Sequence, residues 1–227
     1  MRVMPVRNGC ILLVVWMMAL AAVAREEPWE HERSTRDGIV VYSRTVPGTT
    51  VREVRATLVV DAPPLPVLDA AADPESFRET NRQYVTETRV YSGERSDVWY
   101  NYQVVRFPVI DRRDYCLRYV RTIDEERQIY RLSWDTSDRF GPGPREDIVR
   151  VTLARGAIDI RPTDGGRRSK VRYTLLADPG GNIPDWLINL ANRTSVPDIL
   201  RQMRDAAVAR AGKRRSEERR VGKECRF

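Results

Sequence analysis

Tyr173-Thr-Leu-Leu-Ala-Asp178-Pro179-Gly180-Gly181-Asn-Ile183-Pro184, followed at once by Asp185-Trp186-Leu187-Ile188-Asn189, is the stretch on which the fold turns. Ahead of Asp178, Val171, Tyr173 and Leu175 alternate with Arg172 and Thr174, the period of a strand with one wet face. Asp-Pro-Gly-Gly ends that period. Pro184 then suits the first turn of a helix, where its missing N–H costs nothing. Beyond it Leu187, Leu190, Thr194, Leu200, Met203 and Ala207 recur at helical spacing. Pro197 interrupts this run, and Ser195-Val-Pro-Asp198 reads as a capping box, so a kink or restart is expected there.

Upstream the period of two dominates. Ile39 to Ser43, Val54 to Val60, Tyr84 to Tyr91, Val98 to Val104, Tyr115 to Tyr119, Tyr130 to Trp134, Val149 to Leu153 and Val171 to Leu175 give about eight strands. Gly141-Pro142-Gly143-Pro144 and Asp164-Gly165-Gly166 mark turns, and Pro64 to Ala72 reads as a short helix. A sheet with one apolar face must bury it, and only the C-terminal helix is long enough to do so. The expected architecture is therefore α+β: a curved antiparallel sheet with that helix across its concave face. Tyr100, Tyr102, Val104, Tyr115, Leu117, Tyr119, Tyr130, Trp134 and Tyr173 are expected on the concave side. Leu187, Leu190, Leu200 and Met203 are expected to face them from the helix. So many buried phenols need partners that a solid core would struggle to supply, whereas a cavity with an amphipathic ligand would satisfy them.

The two ends of the chain read differently. Arg2 and Arg7 precede the 13 apolar residues Cys10 to Ala22, and Ala22-Val23-Ala24 is a cleavage-site pattern, so residues 1–24 read as a signal peptide. The apolar run is shorter than the roughly 20 residues that span a bilayer. The domain is expected over 25–210 and a tail over 211–227. Within that tail Arg215 to Cys225 has no apolar period and resembles a translated sequencing adapter. Without residues 1–24 and 215–227 the net charge falls from +7 to +3, weak grounds for nucleic-acid binding. Only Cys116 remains in the core, which excludes an intramolecular disulfide there.

The chain resembles the START domain, the steroidogenic-acute-regulatory-protein-related lipid transfer family. The resemblance runs from Trp29 and Asp37-Gly-Ile-Val-Val-Tyr-Ser-Arg44 through Phe107-Pro108-Val-Ile-Asp-Arg-Arg113-Asp114 and Val149-Arg150 to Ile160-Arg161-Pro162. Its most specific part is the stretch from Tyr173 to Asn189. It implies a helix-grip fold around a hydrophobic cavity holding one lipid or sterol-like ligand, in an exported bacterial-type member. Tyr100 and Tyr119 stand where some sterol-binding members carry a buried acid and a buried Arg, which argues against sterol specificity.

Catalytic chemistry finds little support. The only histidine is His31 in the polar N-terminal stretch, and there is no G-x-S-x-G or phosphate-binding glycine loop. One His and one core Cys do not make a zinc site. No cofactor is expected. Asp111, Arg112, Arg113 and Asp114 read as an ion-pair network at a strand entry. The expected function is binding, and transfer or sensing, of a lipid or similar ligand by a monomer that touches membranes transiently. Entry is expected through a gate built from the helix, Pro108 and Arg113, with hinges at Gly180, Gly181 and Pro197. The alternatives are a cyclase-like helix-grip enzyme on aromatic or polyketide-type substrates, with tyrosines as general acids, and an interaction module with a filled core. N-terminal sequencing of exported protein should begin at Arg25; an intact Met1 in the membrane fraction would contradict the leader.

Overall fold

The computed structural model describes residues 27–75, 78, 82, 84–106 and 110–224, with residues 218–224 described as backbone only. Pro108 and the proposed leader therefore lie outside the described residues. The elements, in chain order, are β1 (Glu30–Ser34), β2 (Val40–Arg44), β3 (Glu53–Val60), α1 (Pro64–Ala71), β4 (Val85–Ser92), β5 (Val98–Val105), β6 (Arg112–Asp124), β7 (Ile129–Thr136), β8 (Ile148–Arg150), β9 (Leu153–Thr163), β10 (Arg168–Asp178) and α2 (Asp185–Glu224).

Nine strands form one antiparallel path in the order β1-β2-β3-β10-β9-β7-β6-β5-β4, and β8 pairs with β6 in parallel. The expected curved antiparallel sheet with a C-terminal helix is what the chain forms. Strand β6 is long because it serves three neighbours. It pairs with β5 over residues 113–120, with β7 over 117–124 and with β8 over 112–114. The single strand expected from Val149 to Leu153 is two strands. Val151 and Thr152 are not in a strand, because β8 extends the ladder of β6 while β9 leaves to pair with β7 and β10. Asp164, Gly165 and Gly166 turn with positive φ, as the hairpin between β9 and β10 requires.

The main core lies between the inner face of the sheet and the two helices. Val196, Leu200, Met203, Ala207 and Ala211 of α2 meet Val41, Val54, Ala56 and Leu58, with Val67 and Leu68 of α1 between them. The main sheet contacts of α2 run to β2, β3 and β10, and those of α1 to β7, β9 and β10. The helices thus cover one half of the inner face, and the β5–β6 half lies beyond their principal contacts.

Pro197 sits inside α2 rather than ending it. A proline removes one helix hydrogen bond. Val196 and Pro197 are both buried, so packing carries the helix through the defect. Ser195 and Asp198 are accordingly helical and do not form the expected cap. The helix also continues past residue 211, where only a tail was expected. From Gly212 to Glu217 every side chain is exposed, although Arg214 still pairs with Asp69 at 2.9 Å. An exposed pair of this kind adds little. Deleting residues 215–227 should leave urea stability within about 0.5 kcal/mol of the full chain; a loss above about 1 kcal/mol would show that this segment is a structural part of the domain.

Candidate functional site

Register decides which side chains face the helices. Residues directly paired across antiparallel strands point to the same face. Tyr173 pairs with Ala56 and Ile158, Ile158 with Leu132, Trp134 with Tyr119, and Tyr119 with Trp99. Continuing along β5 and β6, Asn101 pairs with Leu117 and Gln103 with Tyr115. The inner face of β5 is therefore Trp99, Asn101, Gln103 and Val105. Tyr100, Tyr102 and Val104 point outward, which corrects their expected place on the concave side.

Those three pack instead in a second, smaller core with Val98, Cys116 and Ile148. The loop after β7 closes over it. Phe140 lies 4.6 Å from Tyr100 and 5.3 Å from Tyr91, ring centre to ring centre. Gly141, at φ +96°, rests on the Tyr102 ring. The polar end of Tyr102 is spent on structure: its hydroxyl donates to Asp114 at 2.9 Å and accepts from Arg145 at 2.6 Å. Burial, then Asp114, pushes its phenol up to about 12. Asp114 is 1% exposed and holds Arg150 by two bonds of 2.8 and 3.0 Å. Of the expected network, Asp114 pairs with Arg150 and Arg112 with Asp147, while Arg113 donates to the Asp111 backbone carbonyl rather than to a carboxylate.

On the inner face, sequence and structure agree for Tyr115, Leu117, Tyr119, Tyr130, Trp134 and Tyr173, and for Leu200 and Met203 from α2. Leu187 and Leu190 are different. They are 39% and 42% exposed, and Ile188 occupies the buried position of that turn. Helical spacing alone could not fix the phase of the first turns, where Trp186, Leu187, Ile188 and Leu190 are all apolar.

The inner aromatics form a continuous ladder. Trp99 stacks on Tyr119 with ring centres 5.2 Å apart and planes 4° from parallel. Tyr119 lies 6.1 Å from Trp134, and Trp134 lies 5.6 Å from Tyr173. The step from Trp134 to Tyr173 crosses β9 at Gly156. A Cβ there would collide with the Trp134 indole and the Thr174 carbonyl oxygen. Gly156 and Trp99 were not among the expected site residues. The register of Trp99 with Tyr119 was the missing signal, and no sequence pattern marks Gly156.

Burial pushes the phenols of Tyr115, Tyr119 and Tyr173 well above the usual tyrosine range. A smaller contribution comes from the phenols themselves, Tyr119 sensing Tyr115 and Tyr173, and Tyr173 sensing Tyr115. Tyr115 donates to Gln103 Oε1 at 2.7 Å, while Gln103 Nε2 and Asn101 Oδ1 are buried without partners. Tyr115 and Tyr119 nevertheless keep accessible surface. Buried phenols that keep some accessible surface suit the wall of a small-molecule site.

At the base of α2, Asp178 Oδ1 accepts from the Gly180 N–H at 2.9 Å, and Gly180 and Gly181 take φ of +64° and +73°. That left-handed pair favours glycine. The Arg113 guanidinium lies under the turn, against Gly181 and Val149. Three of the expected gate residues, Arg113, Gly180 and Gly181, are thus neighbours, and Pro197 is not part of that group. Among the described residues no three His, Cys, Asp or Glu side chains could hold a metal, and no helix is long and apolar enough to cross a membrane.

A curved antiparallel sheet gripping a long C-terminal helix around an internal space defines the helix-grip class. The family model described as START domain matches residues 17–214. The chain belongs to the START domain family. Human phosphatidylcholine transfer protein is 32% identical over 170 residues, covering 73% of this chain and 78% of that protein. The protein of the same name from Rattus norvegicus is 30% identical over 173 residues, covering 73% and 78%. Human STARD10 superposes with a TM-score of 0.68 at 20% identity, over 79% of this chain and 73% of that one. A fragment of the STAR-related lipid transfer protein from Xanthomonas axonopodis gives 0.66 at 23%, over 79% and 98%. These two structures show the shared fold.

Gly156→Val should destabilise the domain by about 1–3 kcal/mol, the range for overpacking a filled site. Urea unfolding measures this, and an unchanged midpoint would mean that Trp134 does not lie over Gly156.

Proposed function

We propose that this chain binds a single lipid in the space between the inner face of the sheet and α2, and carries or senses it without chemical change. The observation that carries the reading is the set of phenols at Tyr115, Tyr119 and Tyr173, deep in the fold on a face that still has accessible surface. Membership of the START domain family and the identity to proteins named for phosphatidylcholine transfer support it. Phenols that stay protonated do not act as bases. The sole histidine, His31, lies on β1 with a hydrogen bond to Ser34 and an edge contact to Tyr42.

Loading requires an opening, and the base of α2 is where the reading puts it. There Gly180-Gly181 form the hinge, with Arg113 beneath. Trp186, Leu187 and Leu190 are exposed at this end, with Trp186 at 67%, and suit a transient contact with a membrane surface. The inner-face residues Trp99, Asn101, Gln103, Leu117, Tyr130 and Trp134 complete the binding surface. The leader pattern at Arg2, Arg7 and Ala22-Val-Ala24 supports export to the periplasm or beyond.

Native mass spectrometry of full chain purified without detergent should show about one lipid per chain, removable by organic extraction and regained from phospholipid or neutral-lipid vesicles. A chain that emerges empty and takes up nothing would end the lipid reading in favour of a filled interaction module. Recovery of a chemically altered ligand would favour the enzyme.

A further inference from the structure

We propose that the outer face of β3, β10 and β9 docks this chain on an anionic membrane surface, with the cations of Arg55, Arg155, Arg161, Lys170 and Arg172 as the contact. Such docking rests on the membrane contact proposed above for the base of α2, and extends it to the lipid chemistry and to residues of the sheet.

Register places these side chains together. Arg55 pairs with Thr174, Arg172 with Thr57 and Asp159, Lys170 with Val59 and Arg161, and Arg155 with Leu176. All are one residue out of phase with Ala56, Tyr173 and Ile158, so they point away from the inner face. Arg155, Arg161, Lys170 and Arg172 are exposed, and Arg55 is half-buried. Neighbouring strands lie about 4.8 Å apart and alternate residues about 7 Å apart. The cations thus form a closely spaced array on a rigid surface.

Their charge is not balanced within the protein. The acids of this face are already taken: Glu53 by Arg44 at 2.7 Å, Asp159 by Arg131, and Asp61 by Arg168 at 2.5 Å. Among the described residues Arg55, Arg155, Lys170 and Arg172 form no ion pair. Arg161 donates to the carbonyls of Arg127 and Gln128, which carry no charge. Lys170 and Arg161 are like charges directly opposite one another, an arrangement that destabilises a sheet. Burial, then the charge of Arg172, holds the Arg55 guanidinium below the ordinary arginine range, and its Nε is buried without a partner. An anionic surface laid on this face relieves the repulsion.

A membrane suits the face better than a protein does. The centre of a protein interface is depleted in charge and rich in aromatic anchors. Here Val59 is the large apolar side chain exposed, and the Trp29 and Tyr42 rings at the margin already lie under the Arg44 and Arg55 guanidinium groups. Anionic headgroups attract such cations without any matched shape. The neighbourhood of α2 favours the same partner. Val51 just before β3, Leu153 at the start of β9 and Leu176 near the end of β10 seat Ile188. Arg55 stands two residues into β3 and Arg155 two residues into β9. Trp186, Leu187 and Leu190 are exposed on the same turns of α2 as Ile188. Apolar insertion and attraction to anionic lipid add together when they share one margin of a protein, and this arrangement turns the hinge end of α2 toward the bilayer.

The test is sedimentation of the full chain with vesicles of dioleoylphosphatidylcholine, alone or with about one-third dioleoylphosphatidylglycerol. Binding to the mixed vesicles should be about tenfold stronger at low salt and should fall to the level of the neutral vesicles in about 1 M salt. Lys170→Gln and Arg172→Gln should each weaken binding to the mixed vesicles about 2–5-fold and leave the neutral vesicles unchanged. Neither should lower Tm, because each removes a charge that a neighbour repels. Lys213→Gln makes the same change of net charge on the exposed run of α2 and should have no such effect. Trp186→Ala should weaken binding to both kinds of vesicle alike. The lipid and salt series on the unaltered chain does not depend on how the variants fold. Equal binding to the two kinds of vesicle overturns the proposal, and so does an equal loss from Lys213→Gln; if Trp186→Ala still weakens both, the contact at α2 stands and this extension fails alone. If vesicles show no preference but soluble polyglutamate binds through Lys170 and Arg172, the face receives an acidic protein and the proposal is wrong. If no vesicle binds, the α2 contact fails with it, while lipid in the cavity is still judged by mass spectrometry.

Discussion

The structure depends on a mismatch of area: the inner face of the sheet is wider than the helices laid on it. A sheet with one apolar face has to bury that face, and α2 does so over β2, β3 and β10 while α1 reaches β7 and β9. Among the described residues, the β5–β6 half is left to the aromatic ladder and the buried amides. A complete cover would leave a solid core. The partial cover leaves an internal space whose walls are set by rigid strands, and strands hold side chains more accurately than loops do.

The two halves of α2 are attached by different means. From Val196 onward a buried stripe of Val196, Leu200, Met203, Ala207 and Ala211 locks the helix to the main core. Before it, only Ile188 is buried among the apolar side chains. The base is tied by polar links: Asn189 accepts from the Arg52 N–H at 2.8 Å, Asn192 donates to the Ala177 carbonyl at 3.0 Å, and Arg193 pairs with Glu32 at 2.6 Å. Partly exposed ion pairs and hydrogen bonds to solvent-near groups contribute little each. The N-terminal end of α2 is therefore the weaker attachment, and it is also the end with two left-handed glycines before it. Local opening follows such gradients of packing.

The outer face of β5 shows how the same sheet makes a second core without a second domain. Tyr100, Tyr102 and Val104 would be exposed apolar surface were it not for Phe140 and Gly141 in the loop after β7. The Tyr102, Asp114, Arg145 and Arg150 network closes the polar margin of that cluster. Asp114 is nearly inaccessible, so removing Arg150 would leave a buried carboxylate with only the Tyr102 hydroxyl. This is structural chemistry, and it accounts for Asp114 of the charge cluster at Asp111 to Asp114.

The sequence by itself determined the alternation of strands, the turns at Gly141 and Asp164, the short helix at Pro64 and the change of period after Asp178. Each is a local property: period, turn chemistry and proline placement act within a few residues. Most of the inner face was legible too, since β6, β7 and β10 each present one clearly more apolar side. Strand β5 does not. Its outward set, Val98, Tyr100, Tyr102 and Val104, is more apolar than its inward set, Trp99, Asn101, Gln103 and Val105. The usual inference from pattern to face therefore points the wrong way, as it does where polar groups are kept inside for function. Only tertiary structure decides such a strand, because its orientation is fixed by register with β6 and by a loop some 40 residues away that covers the other side. The same holds for Gly156, which matters through the Trp134 indole lying across it, and for Leu187 and Leu190, whose outward turn depends on the phase that Ile188 sets against Val51 and Leu176.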